Sequence, residues 1–472
     1  MQWKIEYTTP IGKIPNPEDE DDLRPISLTP FFSKVMEHFV VTWLMEIIGE
    51  KIDFRQYGGI KGNSISHYLI ELLNFILFNQ DKTEPTALLA CLIDFSKVLN
   101  RQNHNLLVTK LSDMGVPSWL LRLVIAFLKD RSMVIRYKGA SSKQLPLPEG
   151  GPQGTLLGLL LFLVLVNDVG FDNQMNEVGE VITSKRRLKE LNEIHLKYVD
   201  DLTIAETINM KEQLGYKPPE HRPLPDNFHA RTGHYLTPQK SRVYNQLLKT
   251  KEYATENEMK LNTKKTKLIL FNPGWARDFI PEFSVDGSEI EVVEEIKLLG
   301  VVLSNDLSWS ANIDYMTKRC NKKLWIIRRL KKIGVDREDL KDIYIKQIRS
   351  ILEFAVPVWH PSLKGEQRLE LERIQKSALH IILTDDYRSY RTALKTMNME
   401  SLFTRRQRLC KKCARKSVKN VKFSKWFKLN SERTKTRFEQ PKYCPTVCRT
   451  ERFAESPISY LTNLLNEEAA RC

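Results

Sequence analysis

The stretch Lys197–Glu206, KYVDDLTIAE, sets two adjacent carboxylates, Asp200 and Asp201, between two short runs rich in apolar and β-branched residues. Runs of that length and composition read as strands, so the segment is strand, carboxylate pair, strand. Neighbouring Asp side chains at a tight turn repel each other, and a divalent cation is the natural counter-charge. Upstream, ALLACLID (Ala87–Asp94) is an apolar run ending in a third carboxylate. Its length predicts a buried strand. A strand-end Asp beside a hairpin Asp can bridge two hard cations about 4 Å apart, the arrangement that phosphoryl transfer uses to activate a hydroxyl and hold a leaving pyrophosphate. A lone Asp-Asp pair is ordinarily just a turn, so the surrounding chain has to decide.

The 472 residues carry 73 Lys and Arg against 58 Asp and Glu, a net charge of +15. Such a surplus favours a polyanionic partner, because basic side chains near phosphates release condensed counterions. The N-terminus has no basic segment leading into an apolar one, so no signal peptide is predicted. The longest apolar run, Leu156–Val166, falls far short of the roughly 20 residues of a membrane helix. Seven cysteines in a chain of this length make no disulfide framework. The expectation is a soluble intracellular protein with no membrane contact.

Working outward, residues 1–22 read as a polar linker ending in the acidic run Glu18–Asp22. Helical spacing over Pro30–Ile48 and Ile65–Phe78 predicts two helices on either side of a Gly-rich turn, QYGGIKGNS (Gln56–Ser64). Leu106–Gly115 reads as a helix closed by glycine, and Pro117 opens another. RSMVIRYKG and KQLPLPEGG predict short strands. Residues 215–240 hold five prolines and three histidines (His221, His229, His234) and read as a surface insertion. Apolar strands are expected to end NEMKLNTKKTKLILF and EEIKLLGVVL, and the chain turns helical from Trp309 to Leu383.

At this point the motifs resemble a family. YVDD (Tyr198–Asp201) resembles the signature hairpin of reverse transcriptases. LIDFSKVLNRQNH (Leu92–His104) and GGPQGTLLGLLLF (Gly150–Phe162) resemble the first two palm motifs of the non-LTR, LINE-type, jockey-like enzymes. LRPISL (Leu23–Leu28) and QYGGIKGNS resemble their finger motifs, KLNTKKTK (Lys260–Lys267) the lysine-bearing palm motif, and KLLGVVL (Lys297–Leu303) the primer grip. These stand in family order, which makes the likeness specific where each alone is weak.

The resemblance implies an α+β right-hand polymerase, with fingers and an antiparallel-sheet palm over 23–303, a helical thumb and connection over 304–400, and a basic helical extension over 401–472. It implies an RNA-directed DNA polymerase acting on an RNA template and a DNA primer with dNTPs and Mg2+ (two ions, Mn2+ as a substitute). Asp94, Asp200 and Asp201 would carry catalysis and the metals, and Lys265 would be the general acid for pyrophosphate, with Lys264 and Lys267 close by. Arg24, Lys61, Leu99, Gln153 and Gly154 would meet the nucleotide or template. A nuclear location is expected of an active copy.

Two positions depart from the family pattern. Leu99 stands where an aromatic residue screens the sugar, and Gly158–Leu159 replaces a Gly-Pro pair. No upstream endonuclease is visible in 1–22, so the chain reads as truncated. Both an active enzyme and a catalytically inactive, truncated relic that binds nucleic acid remain open. Cys410, Cys413, Cys444 and Cys448 have zinc-like spacing, but the first two fall in a predicted helix. Arg405–Arg437 holds fourteen basic residues and one acid, with Trp426 and Phe427 among them. Basic residues interleaved with aromatics suit a nucleic-acid backbone and its bases.

Overall fold

The computed structural model describes residues 4–13, 16–19, 23–83, 86–96, 103–147, 154–169, 192–209, 238–271, 281–430 and 441–470. Most of the 215–240 insertion, with its three histidines, lies outside them. Two sheets carry the N-terminal half. The first contains β1 (Ile5–Gly12), β2 (Leu23–Leu28), β5 (Arg131–Tyr137), β6 (Ala140–Ser141) and β7 (Leu145–Leu147). The second runs β14-β11-β3-β9-β8, from β3 (Thr86–Ile93), β8 (Glu193–Tyr198), β9 (Asp201–Asn209), β11 (Lys267–Phe271) and β14 (Glu291–Val292). A two-residue strand β4 (Phe95–Ser96) pairs with β10 (Lys260–Leu261) just past the end of β3. Two small hairpins follow, β12 (Ser284–Val285) with β13 (Ser288–Glu289), and β15 (Glu295–Leu298) with β16 (Val301–Ser304).

Residues 1–22 are not simply the linker expected, because Ile5–Gly12 is a strand at the heart of the first sheet, antiparallel to β2 and parallel to β5. Its inward side chains are polar. Glu6 and Thr8 are both buried, and Glu6 faces the equally buried Arg131 and accepts from the Ser27 hydroxyl at 3.1 Å. A strand whose inner face is an ion pair shows no apolar alternation, so a periodicity argument misses it.

The central sheet is the reverse. Thr86–Ile93 is buried along almost its whole length, as expected of a strand covered on both faces. On one side lies α2 (Ile65–Gln80), which buries Tyr68, Leu69, Leu72, Leu73 and Ile76. The other side is packed by α1 (Phe31–Ile48), α3 (His104–Asp113), α4 (Ser118–Leu128), α5 (Leu156–Leu165) and α6 (Arg242–Glu256). The apolar run Leu156–Val166 is α5, buried on nearly every face. Among the described residues no helix is long and apolar enough to cross a membrane.

The C-terminal third is helical. α7 (Ser310–Lys332), α8 (Arg337–Tyr344) and α9 (Gly365–Leu383) are followed by α10 (Leu402–Val418), the short α11 (Val421–Ser424) and α12 (Pro457–Ala469). The region from 401 onward is not an appendage. Cys410, Phe423, Phe427 and Leu461 lie in one continuous core with Leu69 and Ile76 of α2 and Leu379 of α9. The hydrophobic driving force is roughly proportional to apolar area removed from water, so this shared core ties the C-terminal region to α2 and the central sheet.

Candidate active site

The carboxylates meet through strand register. β3 and β9 are antiparallel with Ile93 opposite Leu202. One step further along the same ladder, Asp94 leaves the end of β3 across from Asp201, the first residue of β9. Tyr198 pairs with Asp201, leaving Val199 and Asp200 as a two-residue turn. Val199 has φ +60. A positive φ at the first turn position suits glycine, and a β-branched residue there is strained. Strain of this kind persists only where the surroundings over-determine the backbone.

Those surroundings are the Gly-rich segment that follows α1. The buried Gln56 side chain accepts from the Val199 N–H and the Gly58 N–H, each at 2.9 Å. Tyr57 N–H donates to the Lys197 carbonyl at 2.8 Å, and Lys197 N–H to the Arg55 carbonyl at 3.0 Å. The Lys197 ammonium is buried in an ion pair with Asp53 at 2.7 Å. Gly58 lies so close that a Cβ there would stand 2.5 Å from Val199 Cγ2 and 2.7 Å from Val199 N. None of this was legible in the QYGG motif itself, which offers only a turn.

Charge is crowded at the site. Burial pushes the Asp201 carboxyl up to about 6, reinforced by Asp200 and Asp94. Asp94 is also pushed up by burial, against the pull of Lys265 and with Asp200 raising it further. Asp200 moves the same way by loss of surrounding water, opposed by Arg24, and the water its exposed side chain retains limits that shift. Asp200 raises the proton affinity of Asp94 and of Asp201, and Asp94 that of Asp201, so the cluster is short of positive charge.

The groups around them come from three segments. Asn262 hydrogen-bonds the Asp94 side chain, its N–H donates to the Asp94 carbonyl at 2.8 Å, and Thr266 Oγ1 accepts from Asp94 N–H at 3.4 Å. This wraps the β10–β11 loop around Asp94 and brings Lys265 to it. Lys267 is engaged with Glu291, and Lys264 is exposed. Arg24, exposed on β2, acts on Asp200, and Lys13, beyond the end of β1, acts on Asp94. Lys13 and Asn262 went unnoticed in the sequence, since nothing local marks them. Lys61 is exposed on the glycine turn, and the cations acting most strongly on the carboxylates are Lys265, Lys13 and Arg24 instead.

Gly154 has φ +96 just ahead of Thr155, whose side chain caps α5 by accepting from Gly158 N–H at 3.1 Å. Glycine is needed there for its backbone, since a Cβ would meet only the Ser27 carbonyl at an ordinary 3.6 Å. Leu99 and Gln153 lie outside the described residues. Leu159 donates its N–H to the Thr155 carbonyl at 3.3 Å, a helical bond that proline lacks, so this departure leaves α5 intact.

Oxygen donors of this kind fit a hard divalent cation. Among the described residues, however, no group of three or more His, Cys, Asp or Glu is already arranged to hold a metal ion. Cys410 and Cys413 lie on α10, and burial raises both thiols.

The basic stretch Arg405–Arg437 corrects an expectation. Its aromatics are engaged in packing. Phe427 is buried, and Trp426 lies 4.9 Å from Phe423 with its indole N–H on Glu71 at 2.8 Å. Arg406 is fully buried, and Arg405 is bound to Glu353. Residues 431–440 lie outside the described residues. An exposed basic-aromatic stripe occurs instead on α7, where Lys318, Lys322, Trp325, Arg329 and Lys332 recur at helical spacing and Arg329 stands 5.3 Å over the Trp325 ring.

Comparison with known proteins matches residues 14–303 to the family described as "Reverse transcriptase (RNA-dependent DNA polymerase)". The chain is 22% identical over 393 residues to the probable RNA-directed DNA polymerase from transposon BS of Drosophila melanogaster, covering 82% of this chain and 39% of that protein. It is 28% identical over 181 residues to the RNA-directed DNA polymerase from mobile element jockey of the same species, covering 38% of this chain and 19% of that one. It therefore spans well under half the length of these relatives. Among solved structures, telomerase from Candida tropicalis in complex with a TWJ fragment of telomeric RNA is similar with a TM-score of 0.43 and 12% identity, covering 100% of this chain and 62% of that one. That likeness is too distant to bear on function. The family match spans more than half of the chain and ends, at residue 303, where the series of motifs ends, so the chain belongs to the reverse transcriptase (RNA-dependent DNA polymerase) family.

Proposed function

We propose that this chain is the RNA-directed DNA polymerase of a non-LTR, LINE-type retrotransposon, joining dNTPs to a primer 3′-hydroxyl on an RNA template. The observation that carries this reading is the β3–β9 register, which sets Asp94 beside Asp201 with Asp200 on the adjoining turn. Asp94 and Asp200 would hold divalent magnesium, supported by Asp201. That metal would supply Lewis-acid activation of the 3′-hydroxyl and charge neutralisation at the triphosphate. The chain's own residues do the rest. Lys265, whose charge acts on Asp94, would give a proton to the leaving pyrophosphate. Arg24 and Lys13 present positive charge to an incoming triphosphate. Gly154 allows close backbone approach near the nucleotide, and Leu99 and Gln153 are proposed to line it. The α7 stripe offers charge and an aromatic face to a nucleic-acid strand.

Primer extension on poly(rA)/oligo(dT) with Mg2+ tests this. The full chain is expected to extend, and Asp200→Asn to lose extension while keeping primer–template affinity. The lost carboxylate serves the reaction, while binding comes from the basic surface. A wild-type chain that binds primer–template but never extends it identifies an inactive nucleic-acid-binding relic, and refutes the polymerase reading.

A further inference from the structure

The strained Val199–Asp200 turn is held by Gln56, and Gln56 is in turn held from the far end of the chain. Lys422, on α11, reaches into the glycine-rich segment. Its ammonium donates to the Phe54 carbonyl and to the Gln56 carbonyl, the latter at 3.2 Å, and lies 3.6 Å over the Tyr57 ring. Around it the same docking is repeated. Asn420 Nδ2 donates to the Gly62 carbonyl at 3.3 Å, His67 stacks on Phe423 with centroids 3.9 Å apart, and His67 Nε2 is 3.1 Å from Ser417 Oγ. Burial pushes the Lys422 ammonium down to about 7, against the pull of Glu71. An amine withdrawn from water and satisfied by two main-chain carbonyls and a ring face is a specific fastener, unlike a solvated surface charge.

We propose that Lys422 is a positioning residue for the polymerase turn, fixing the main chain of Phe54 and Gln56 so that the Gln56 side chain holds the Val199 N–H. The path is short and continuous: Lys422 to the Gln56 carbonyl, then Gln56 Oε1 to Val199 N–H, next to Asp200. Lys422 lies beyond the matched segment that ends at residue 303. The geometry therefore makes the C-terminal region a structural part of the active site. The catalytic consequence rests on the polymerase reading above, whereas the mechanical one does not.

The test uses the full chain, with amide hydrogen exchange read on the peptide containing Val199 and single-nucleotide primer extension read in parallel. Lys422→Met removes the donor while keeping the length of the side chain. Exchange at the turn is expected to rise about tenfold, the scale of a lost charged hydrogen bond. Where the wild type extends, kcat is expected to fall by a similar factor, with primer–template affinity within about twofold. Gln56→Leu should cost as much, and the double variant little more than Gln56→Leu alone, since residues acting through one contact are not additive. A merely structural role would lower the melting temperature and leave additive effects on kcat. Should Lys422→Met fail to fold, Lys422→Gln is expected to give an intermediate rise in exchange. Unchanged exchange at Val199 in a folded variant overturns the proposal whether or not the chain polymerises. A wild type that never extends overturns the polymerase reading instead.

Discussion

Replacing Gly58 by Ala adds one methyl group at the closest approach between the glycine-rich segment and the carboxylate turn. The new Cβ would stand 2.5 Å from Val199 Cγ2, 2.7 Å from Val199 N and 3.0 Å from the Tyr198 carbonyl carbon. Two of these three atoms are backbone, so a rotamer change does not relieve the contact. Ordinary contact begins near 3.4 Å, so the turn has to retreat by about 0.7 Å along the line to Val199 N. Asp200 travels with it. Catalytic groups tolerate about 0.5 Å of displacement, and 1 Å can cost about a hundredfold in rate. Gly58→Ala is therefore expected to lower kcat by about 10- to 100-fold. The cost in stability should be that of overpacking, about 1–3 kcal/mol. Gly59→Ala is the control. It meets Leu163 and Leu159 side chains and is strained by its φ of +71, so it should destabilise the fold with much less effect on kcat. The assay is steady-state incorporation of a single dNTP, with melting temperature measured on the same preparations. Gly58→Ala with wild-type kcat would refute the argument that this contact sets the position of Asp200.

The remaining expectations concern charge. Asp201 holds its proton up to about pH 6 in the folded chain but only to the ordinary 3.8 when unfolded. Folding therefore takes up a proton between those values, and the metal-free protein loses stability as pH rises through that window. Above pH 6, Asp201→Asn should be more stable than wild type by about 1–2 kcal/mol after allowance for partial exposure, with the gap closing toward pH 4. Equal melting temperatures at pH 7.5 would contradict the crowding. On α7, Lys322→Ala combined with Arg329→Ala should flatten the slope of log affinity against log salt by up to about two phosphate contacts. An unchanged slope would place the nucleic acid elsewhere.

The strands that carry the carboxylates were legible in the sequence because they depend on short local patterns. An apolar run ending in Asp94 and an Asp pair between apolar runs fold into strands through side-chain character alone. The helices over Phe31–Ile48 and Ile65–Gln80 follow from 3.6-residue spacing in the same way. Resemblance added the order of the motifs and hence the family. What the sequence hid was long-range. β1 is buried through Glu6 and Thr8, whose partners Arg131 and Ser27 come from other strands, so its inner face reads as polar. Phe427 and Trp426 looked like a base-stacking surface, and only packing against α2 shows that they belong to the core. Lys13 and Asn262 reach Asp94, and Gln56 reaches Val199, across contacts that no local spacing encodes. Hydrogen-bond partners far apart in the chain are chosen by which backbones the core brings together. The tertiary structure alone therefore decides which of the many basic and amide side chains, Lys422 and Gln56 among them, bear on the carboxylates.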